Sequence, residues 1–508
     1  MQAAAPVNTP VNAPEGDETE RRLHPWSWLF VLVQQLKQFL VPLLALLVFG
    51  GGGTDGFWAG IGPLVAVGVL VVVSLLQYFT YRYRIGRDGL SIRDGLLHRN
   101  LRDIPYSRIH NVVLHQSLLH RLFGVAEVRL ESAGGQKPEA QMRVLRLDQA
   151  LALEDLIKHR GKVPEAGAPA GIADSLLSLP TAEVVRLGLV SNRGMIVVAA
   201  AFGGAWQLFP DRVVANFFET TGRELFGYAS HLHLGWMTTA AATAVMVLLA
   251  IALLRLLSVA LALVQYHGFQ LSEEQKRLTV ERGLLAKLRT SVARRRIQSW
   301  TLHEGLLHRL LKRRSLQVDT AVAEMGKSDH RAFREVAPIA TPEACDALVR
   351  HLLPQAQWPR SEWIPLAAGT WWRLFLPMAV FCVLLATGLL LRLGNAWALL
   401  PLLWLPWGAH AARQRARREG YAVDERLVAV RSGWWSRWWR FAEVDKLQAL
   451  RLTRSPVDRR LGTATLWLDT AGAGGSSPTL RIRFLPEANA QSLYRQLAAT
   501  LARRRLRW

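Results

Sequence analysis

The sequence predicts a mixed membrane protein, in which six transmembrane helices form three hairpins that alternate with three β-rich domains. Three observations predict this class. Half of the 508 residues are hydrophobic although the formal net charge is +23, the apolar stretches come in pairs, and one pattern recurs three times. Soluble proteins rarely combine such apolarity and charge, whereas membrane proteins keep apolar spans and basic loops in separate stretches.

Length and cysteine usage narrow the class. A chain of 508 residues is too long for one compact core and indicates about three units. The two cysteines, Cys345 and Cys382, lie in different segments and form neither a disulfide framework nor a metal site. Residues 1–25, which begin with a stretch rich in Ala, Pro, Asn and acidic residues, predict a disordered tail. They lack the basic region followed by an apolar region that is typical of a signal peptide.

The apolar stretches form three predicted membrane hairpins, at residues 26–80, 176–265 and 356–412. Their apolar cores are residues 39–53, 57–80, 194–209, 234–254, 371–391 and 396–411. Several approach the roughly 20 residues that cross a bilayer, while the first, third and sixth are short. The uncharged run at residues 64–76 disfavours the alternative of helices buried in a large soluble protein. Arg255, at the end of the fourth stretch, is expected to reach the lipid headgroups.

Basic residues predict the orientation. The exits of the second, fourth and sixth stretches lead into basic sequence, for example Arg82 and Arg84 after the second and Arg413 and Arg415 after the sixth. The turns inside the hairpins carry few or balanced charges. The positive-inside bias therefore places the N-terminus and all three domains in the cytoplasm.

An internal repeat defines the three domains. Three glycines align, and a basic residue follows each glycine after thirteen residues and again after thirteen more, without gaps. The aligned positions are Gly95, Gly283 and Gly433, then Arg108, Arg296 and Lys446, then Arg121, Arg309 and Arg459. The predicted domains are residues 81–160, 266–355 and 413–508, with a Gly-, Ala- and Pro-rich linker at 161–175. Alternating short strands followed by one helix predict a sandwich capped by a C-terminal helix.

Copy one carries a family resemblance. Its pattern resembles the bacterial pleckstrin-homology-like (PH-like) domain of the membrane-flanked type, and the threefold arrangement resembles YdbT-type membrane proteins. The pattern reads Tyr83, Gly89-Leu90, Gly95-Leu96-Leu97, Ile104-Pro105, Arg108-Ile109, Gln116-Ser117, Arg121 and Gly124. Copy two departs from this pattern at Lys312, where copies one and three have Gly124 and Gly462. The resemblance implies PH-like β-sandwich or barrel domains with a capping helix, no catalytic residues, and a smaller YdbS-type membrane protein as partner. It also implies a multi-pass protein of the bacterial inner membrane.

The sequence contains no motif for catalysis or metal binding. Phosphate-binding loops, zinc-protease motifs and nucleophile elbows are all missing from it. His110, His115 and His120 recur every five residues, a spacing that fits neither a helix face nor a strand face. We therefore expect no enzyme activity, no cofactor and no metal. Nucleic-acid binding is disfavoured because the positive-inside bias already explains the charge.

Two function classes remain open. The favoured one is a scaffold whose domains bind anionic lipid or partner proteins; the alternative is a transporter, or a subunit of a stress- or export-related complex, that uses the spans. The candidate binding residues are the six aligned basic residues and four tryptophans, Trp434, Trp435, Trp438 and Trp439. The basic residues would bind headgroups or partners, or else pair within their own domain. The tryptophans would dock copy three onto the membrane or the spans, or else fill an enlarged core or a contact between domains.

Overall fold

The computed structural model describes most of the chain, with gaps. The described residues are 20–49, 56–86, 88–95, 99–132, 139–158, 174–208, 215–216, 219–220, 236–320, 333–360, 362–366, 369–471 and 477–503. Most of the predicted tail at 1–25 and of the linker at 161–175 lies outside them. Residues 21–22, inside the predicted tail, form a strand.

A similar order of elements occurs three times, except that three described α-helices precede the main strands of copy two where two do so in the other copies. Copy one consists of β1 (Arg21–Arg22), α1 (Ser27–Phe49), α2 (Gly56–Thr80), β2 (Arg82–Ile85), β3 (Gly89–Asp94), β4 (Asn100–Pro105), β5 (Ile109–Gln116), α3 (Leu118–Leu122), β6 (Val125–Ser132), β7 (Ala140–Arg146) and α4 (Leu147–Lys158). Copy two consists of β8 (Asp174–Ser178), α5 (Thr181–Val190), α6 (Arg193–Leu208), α7 (Trp236–Tyr266), β9 (Gln270–Glu274), β10 (Arg277–Arg282), β11 (Lys287–Ala293), β12 (Ile297–Glu304), α8 (Leu306–Leu310), β13 (Arg314–Thr320), β14 (Glu335–Ala340) and α9 (Pro342–Leu352). Copy three consists of β15 (Ile364–Pro365), α10 (Trp371–Leu393), α11 (Trp404–Arg418), β16 (Gly420–Val423), β17 (Leu427–Ser432), β18 (Arg437–Glu443), β19 (Leu447–Thr453), α12 (Pro456–Leu461), β20 (Thr463–Thr470), β21 (Arg481–Pro486) and α13 (Glu487–Ala502).

A sheet-rich core under a helix forms each described domain. In copy one, alternate residues of β3 such as Leu90 and Ile92 are buried, as the two-residue period of a strand requires. They pack with Val128 of β6 and with Leu153 of the closing helix α4. In copy three the closing helix α13 contributes Leu497 to the corresponding core. The predicted sheet-rich domains with a C-terminal helix are therefore confirmed.

The chain divides into two compact units that do not follow the copy boundaries. One unit is residues 1–172 together with 286–293, and the other is residues 173–285 together with 294–508. Thus β11, which belongs to copy two in the sequence, belongs to the unit of copy one. Each predicted domain is one contiguous stretch of the chain, whereas the pairing of β11 with β5 joins residues of two predicted domains.

In the first unit, β11 extends the sheet of copy one by pairing antiparallel with β5. Lys287 lies opposite Gln116, and Val292 lies opposite Asn111. A second sheet in this unit has the order β1-β2-β3-β4. Its first strand comes from before the helix pair α1 and α2, and its second strand directly follows that pair.

In the second unit, copies two and three are joined in the same way. Strand β18 pairs antiparallel with β12, and Arg437 lies opposite Glu304. Those positions correspond in the repeat to Lys287 and Gln116, so the two junctions share one register. Here too, a strand from before each helix pair joins the strand after it, as β8 pairs with β9 and β15 with β16.

The structure does not support six transmembrane helices. Among the described residues, two helices are long and apolar enough to cross a membrane, Ala240–Tyr266 within α7 and Trp371–Leu393, which is α10. Helices α5 and α6 would make a third span if counted together, although they are bent by 54° at their break. Residues Val67–Thr80 of α2 form a shorter apolar helix.

Local sequence explains two of these departures. The predicted sixth span begins as a 3-10 helix, Ala396–Leu403, that contains Pro401, and its continuation α11 ends in arginines. The predicted third span, residues 194–209, corresponds to α6, and the helix is broken just before it, between α5 and α6. Arg255 donates to the carbonyl oxygens of Leu189 and Ser191 at this break, both at 3.1 Å. It therefore supplies hydrogen bonds to backbone carbonyls that the break leaves without helical partners.

Candidate membrane-binding loops

The first set of aligned basic residues lies in a 3-10 turn between the two halves of each copy. Arg108 is exposed at the end of this turn in copy one. Lys446 of copy three donates from Nζ to the carbonyl oxygen of Arg295 at 2.6 Å, and Arg295 lies in the same turn of copy two. Arg296 ends that turn and is half-buried. Lys446 therefore connects copies two and three and lies beside the turn that ends at Arg296.

The second set lies on a short helix that follows the same strand in every copy. Arg121, Arg309 and Arg459 are exposed in the last turns of α3, α8 and α12. Large apolar side chains beside them are exposed as well; Leu122 is 77% exposed and Leu310 is 78% exposed. Each short helix thus presents leucine and arginine together, a combination that suits the boundary between headgroups and acyl chains.

The residue after the short helix explains why it ends there. Gly124, Lys312 and Gly462 all adopt left-handed backbone, with φ of 63°, 51° and 61°. This conformation stops a helix and is natural for glycine. Lys312, the departure noted in the sequence, keeps the conformation without the glycine.

Each short helix contacts the first apolar helix of its own copy. In copy one the His120 and Phe30 rings lie 4.2 Å apart between centroids, and Phe30 is in the first turn of α1. In copy two, Arg313 just after α8 binds Glu183 of α5 at 2.7 Å. In copy three, Arg373 of α10 forms a buried ion pair with Asp458 of α12. The short helices are therefore held at the domain-proximal ends of the apolar helices.

A second loop reaches the other apolar helix. In copy two the backbone N–H of Leu284 donates to the carbonyl of Val264, near the end of α7, at 2.9 Å. Leu284 and its neighbour Leu285 are both exposed. The loop begins at Gly283, one of the aligned glycines, whose φ is 114°. We call this loop, residues 95–98, 283–286 and 433–436 in the three copies, the tip; residues 96–98 lie outside the described part.

The tip of copy three carries two of the four candidate tryptophans. The rings of Trp434 and Trp435 each lie 5.5 Å from that of Trp407 on α11, between centroids. His410, one turn further along α11, lies 5.2 Å from Trp434. Trp435 and Trp407 remain exposed. These indoles form an aromatic cluster at an apolar helix, where half-buried tryptophan is typical of membrane interfaces.

The other two tryptophans have different surroundings. The turn occupies residues 433–436, and Arg437 already begins β18. Trp438 packs against the core of copy three. Trp439 points toward copy two, where it lies 5.9 Å from Trp358 and beneath the guanidinium of Arg314. The four indoles are therefore divided between the tip, a core and a contact between copies.

Copy one has an additional basic cleft, of about 450 Å³, on the sheet β1-β2-β3-β4. Its arginines are Arg82, Arg84, Arg93 and Arg99. Arg82 forms an exposed ion pair with Glu20 at 3.1 Å. Because Arg82 follows α2 by two residues, the cleft lies close to the end of that apolar helix. Its charge and position suit an anionic headgroup.

Burial shifts the pKa of two titratable side chains, His308 and Cys345, in the part of the chain that the structure describes. Burial lowers the pKa of His308 to about 4, and the neighbouring His303 adds to the effect. Burial raises the pKa of Cys345 to about 12, so this thiol stays protonated at neutral pH. Within the described ranges, no three His, Cys, Asp or Glu side chains are grouped as metal ligands would be.

Sequence reasoning found the arginines of the short helices but missed the exposed leucines beside them. A usable signal was present, because Leu118–Leu122 and Leu306–Leu310 have the identical sequence LLHRL. Identical exposed leucines in copies that otherwise diverge indicate a shared surface role. The basic cleft was also missed, since its four arginines come from β2, from β3 and from the residue before β4.

Comparison with known proteins gives matches along most of the chain. The family model described as Bacterial PH domain matches three times, at residues 31–161, 224–353 and 374–501. The UPF0699 transmembrane protein YdbT of Bacillus subtilis (strain 168) is 21% identical over 304 residues, which are 57% of this chain. The aligned part spans 60% of that relative's length. No solved structure matches the chain.

Proposed function

Because the chain belongs to the Bacterial PH domain family, we propose that it is a non-enzymatic membrane scaffold whose PH-like domains bind the surface of an anionic membrane. It resembles a transmembrane protein and has apolar helices of spanning length. The domains would hold the membrane-proximal surface through the short helices and tips, and present their remaining faces to partner proteins.

One observation carries this proposal. In the described parts of all three copies, a short helix with an exposed arginine lies at the base of the apolar helix that begins the pair. Leu122, Leu310 and Leu461 are exposed in these helices, at a cost in water that a lipid surface would remove. Each adjacent arginine near an anionic leaflet is worth about 1 kcal/mol. Three such contacts in one chain add up without any deep ligand pocket.

A depth measurement tests the proposal on the full-length protein. Leu310→Cys carrying an environment-sensitive fluorophore, in vesicles with anionic lipid, should show blue-shifted emission and quenching by shallow nitroxide lipids. Thr500→Cys, on an exposed position of α13, is the matched control, and the native thiols Cys345 and Cys382 are buried. Equal quenching at both positions would refute membrane contact by the short helices.

The arginine contribution is tested separately. Replacing Arg309 by Gln in the labelled Leu310→Cys protein should reduce shallow quenching in anionic vesicles and leave it unchanged in neutral vesicles. High salt should act in the same way, because exposed charges are screened. If quenching changes neither with the Arg309→Gln substitution nor with salt, the apolar contact with lipid would stand, but anionic lipid would be excluded as the ligand.

We also propose that all three domains and the N-terminus face the cytoplasm of a bacterial inner membrane. The sheet pairings support a common side, because β1, β8 and β15 pair with β2, β9 and β16 across their helix pairs. Each pair must therefore cross the membrane twice or not at all. The basic segments after the pairs favour the cytoplasmic side. Labelling of cysteines introduced at residues 160, 355 and 508 in intact cells should fail at all three; external labelling at any one would contradict the assignment.

The proposed scaffold would bind membrane lipids and a smaller YdbS-type PH-domain membrane protein. Purification of the intact protein from membranes, followed by mass spectrometry of bound protein and lipid, would identify them. Recovery of a soluble substrate or of nucleic acid in stoichiometric amount would argue against the scaffold.

A further inference from the structure

Two strands lack a pairing that their counterparts in the other copies have. Strand β4 ends the sheet of copy one, whereas its counterparts β11 and β18 each pair with the preceding copy. Strand β19 likewise ends the sheet β19-β20-β21, whereas its counterparts β5 and β12 each pair with the following copy. Within the described residues, β4 and β19 thus each use one side in a sheet. Long exposed edges of this kind promote pairing with another chain.

We propose that these two edges pair between molecules, with β4 of one molecule adding antiparallel to β19 of a second copy of this chain. The interface would continue a contact that the chain already makes twice, in one register. Carried over by the repeat, that register places Leu101 opposite Leu452. It involves residues 449–454 of the third copy and residues 99–104 of the first.

The side chains at the two edges complement each other. Leu101 is 70% exposed and corresponds in the repeat to Trp439, which lies opposite Leu302 in the junction of copies two and three. Leu452, the counterpart of Leu302, is only partly buried against the core of copy three. Pairing the two leucines would shield both from water.

A charged pair would also be reproduced. At the junction of copies two and three, Arg440 forms a buried ion pair with Asp319 at 2.7 Å. Their counterparts at the open edges are Arg102 on β4 and Asp469 on β20, and both are exposed. Head-to-tail pairing would bring this guanidinium and this carboxylate together.

One position opposes the pairing and makes the test specific. Arg451, the counterpart of Thr301, would lie directly opposite Arg102, and like charges in that arrangement are destabilising. Arg454, which would lie opposite Arg99, already forms an ion pair with Glu487. Arg451→Thr restores the residue type of the internal junction and should strengthen association, whereas Asp469→Asn should weaken it.

The experiment mixes, in detergent, two variants of the full chain that each carry one introduced cysteine besides the buried native Cys345 and Cys382. One carries Leu101→Cys and the other Leu452→Cys, so a cross-link between them can form only between molecules. Oxidation should yield a disulfide-linked heterodimer that increases with protein concentration. Leu101→Cys mixed with Gln448→Cys, an exposed position on the same strand that is out of register, is the control.

The register and the charges supply independent readouts. The heterodimer yield should rise roughly two- to fivefold with Arg451→Thr and fall by a similar factor with Asp469→Asn, the range that one cross-strand pair is worth. These substitutions are at exposed positions, so the folded chain should tolerate them. A yield no higher than the out-of-register control, or one that neither charge variant changes, would overturn the proposal and leave these edges for a different protein.

Discussion

Replacing Arg440 by Met should destabilise the second compact unit by about 3 kcal/mol, because it removes one half of a buried ion pair. The Arg440 side chain is 1% exposed and that of Asp319 is 5% exposed, and their Nη2 and Oδ2 atoms are 2.7 Å apart. Breaking such a pair by removing one partner costs about 3–5 kcal/mol, since the other charge stays buried. The lower end applies because two serines keep hydrogen bonds to the carboxylate.

Those serines belong to copies two and three. Ser299 donates to Asp319 Oδ2 at 2.7 Å, and Ser477 donates to Oδ1 at 2.6 Å. Replacing both charges, in Arg440→Met with Asp319→Leu, should recover much of the loss, because well-packed apolar residues often substitute for a buried pair at little cost. Arg437→Met is the matched control on the same strand. Its contact with Glu304 is 3.9 Å long and partly exposed, so we expect a loss under about 1 kcal/mol.

Thermal unfolding of the full chain in detergent, followed by tryptophan fluorescence, measures these differences. For a unit of roughly 330 residues, about 3 kcal/mol corresponds to a fall in Tm of roughly 4–5 °C, from an unfolding entropy of about 2 cal/mol/K per residue. Hydrogen exchange should become faster in β12 and β18, where the pair joins the copies. A fall in Tm for Arg440→Met no larger than for Arg437→Met would refute the reasoning. So would a double variant that loses the full sum of the two single losses.

Three further predictions follow from local geometry. Lys312→Gly should raise the Tm slightly, by about 0.5–1 kcal/mol of stability, because Lys312 holds a φ of 51° that glycine adopts without strain; an unchanged or lower Tm would contradict this. Gly188→Val should separate α5 from α7, since an added Cβ would lie 2.4 Å from Val259 Cα; cysteine cross-linking between the two helices should fall. Burial raises the pKa of Glu127, but His115 and Arg129 outweigh it and hold that pKa at about 2. The stability that this carboxylate contributes, up to about 3 kcal/mol, is present above its unfolded pKa and is lost as pH falls toward about 2. Denaturant titrations should therefore show a smaller loss between roughly pH 5 and 3 in Glu127→Gln than in wild type.

The repeat could be predicted from sequence because its markers have a local physical cause. Gly95, Gly283 and Gly433 all adopt positive φ, between 96° and 114°. At Gly433 an added Cβ would lie 1.8 Å from the carbonyl oxygen of Ser436. A tip of this shape admits only glycine, so the residue persists in every copy and reveals the spacing. The three family matches confirm the three copies.

The membrane spans were harder to predict, because apolar content does not show whether a helix is continuous. Residues 194–209 are apolar, yet the helix is interrupted before Arg193 and bends by 54°. The carbonyl oxygens at this break accept hydrogen bonds from Arg255, which lies more than sixty residues away in the chain. A window of hydropathy contains no information about such a distant donor.

The pairing of strands between copies was also beyond sequence reasoning. Alternation of apolar residues shows which face of a strand is buried, but not which strand lies beside it. Strand β11 follows β10 in the chain and reads as part of copy two, while its hydrogen bonds to β5 join it to copy one. The four tryptophans near Gly433 illustrate the same limit. They contact Trp407 and Trp358, which come from other segments of the chain. The sequence near Gly433 therefore does not show that the four tryptophans occupy three different environments.

During synthesis at the ribosome, the pairing of β5 with β11 cannot form until β11 has been made. Gln116 ends β5, but its partner Lys287 is made about 170 residues later, which takes roughly 9–34 s at bacterial elongation rates. During that interval the apolar helices of copy two are synthesised, while the β5 edge that β11 will later cover stays unpaired. Chaperone demand and misassembly should therefore concentrate in nascent chains stalled between these two strands. A translational pause placed there should lower the yield of folded protein more than the same pause placed after Ala293.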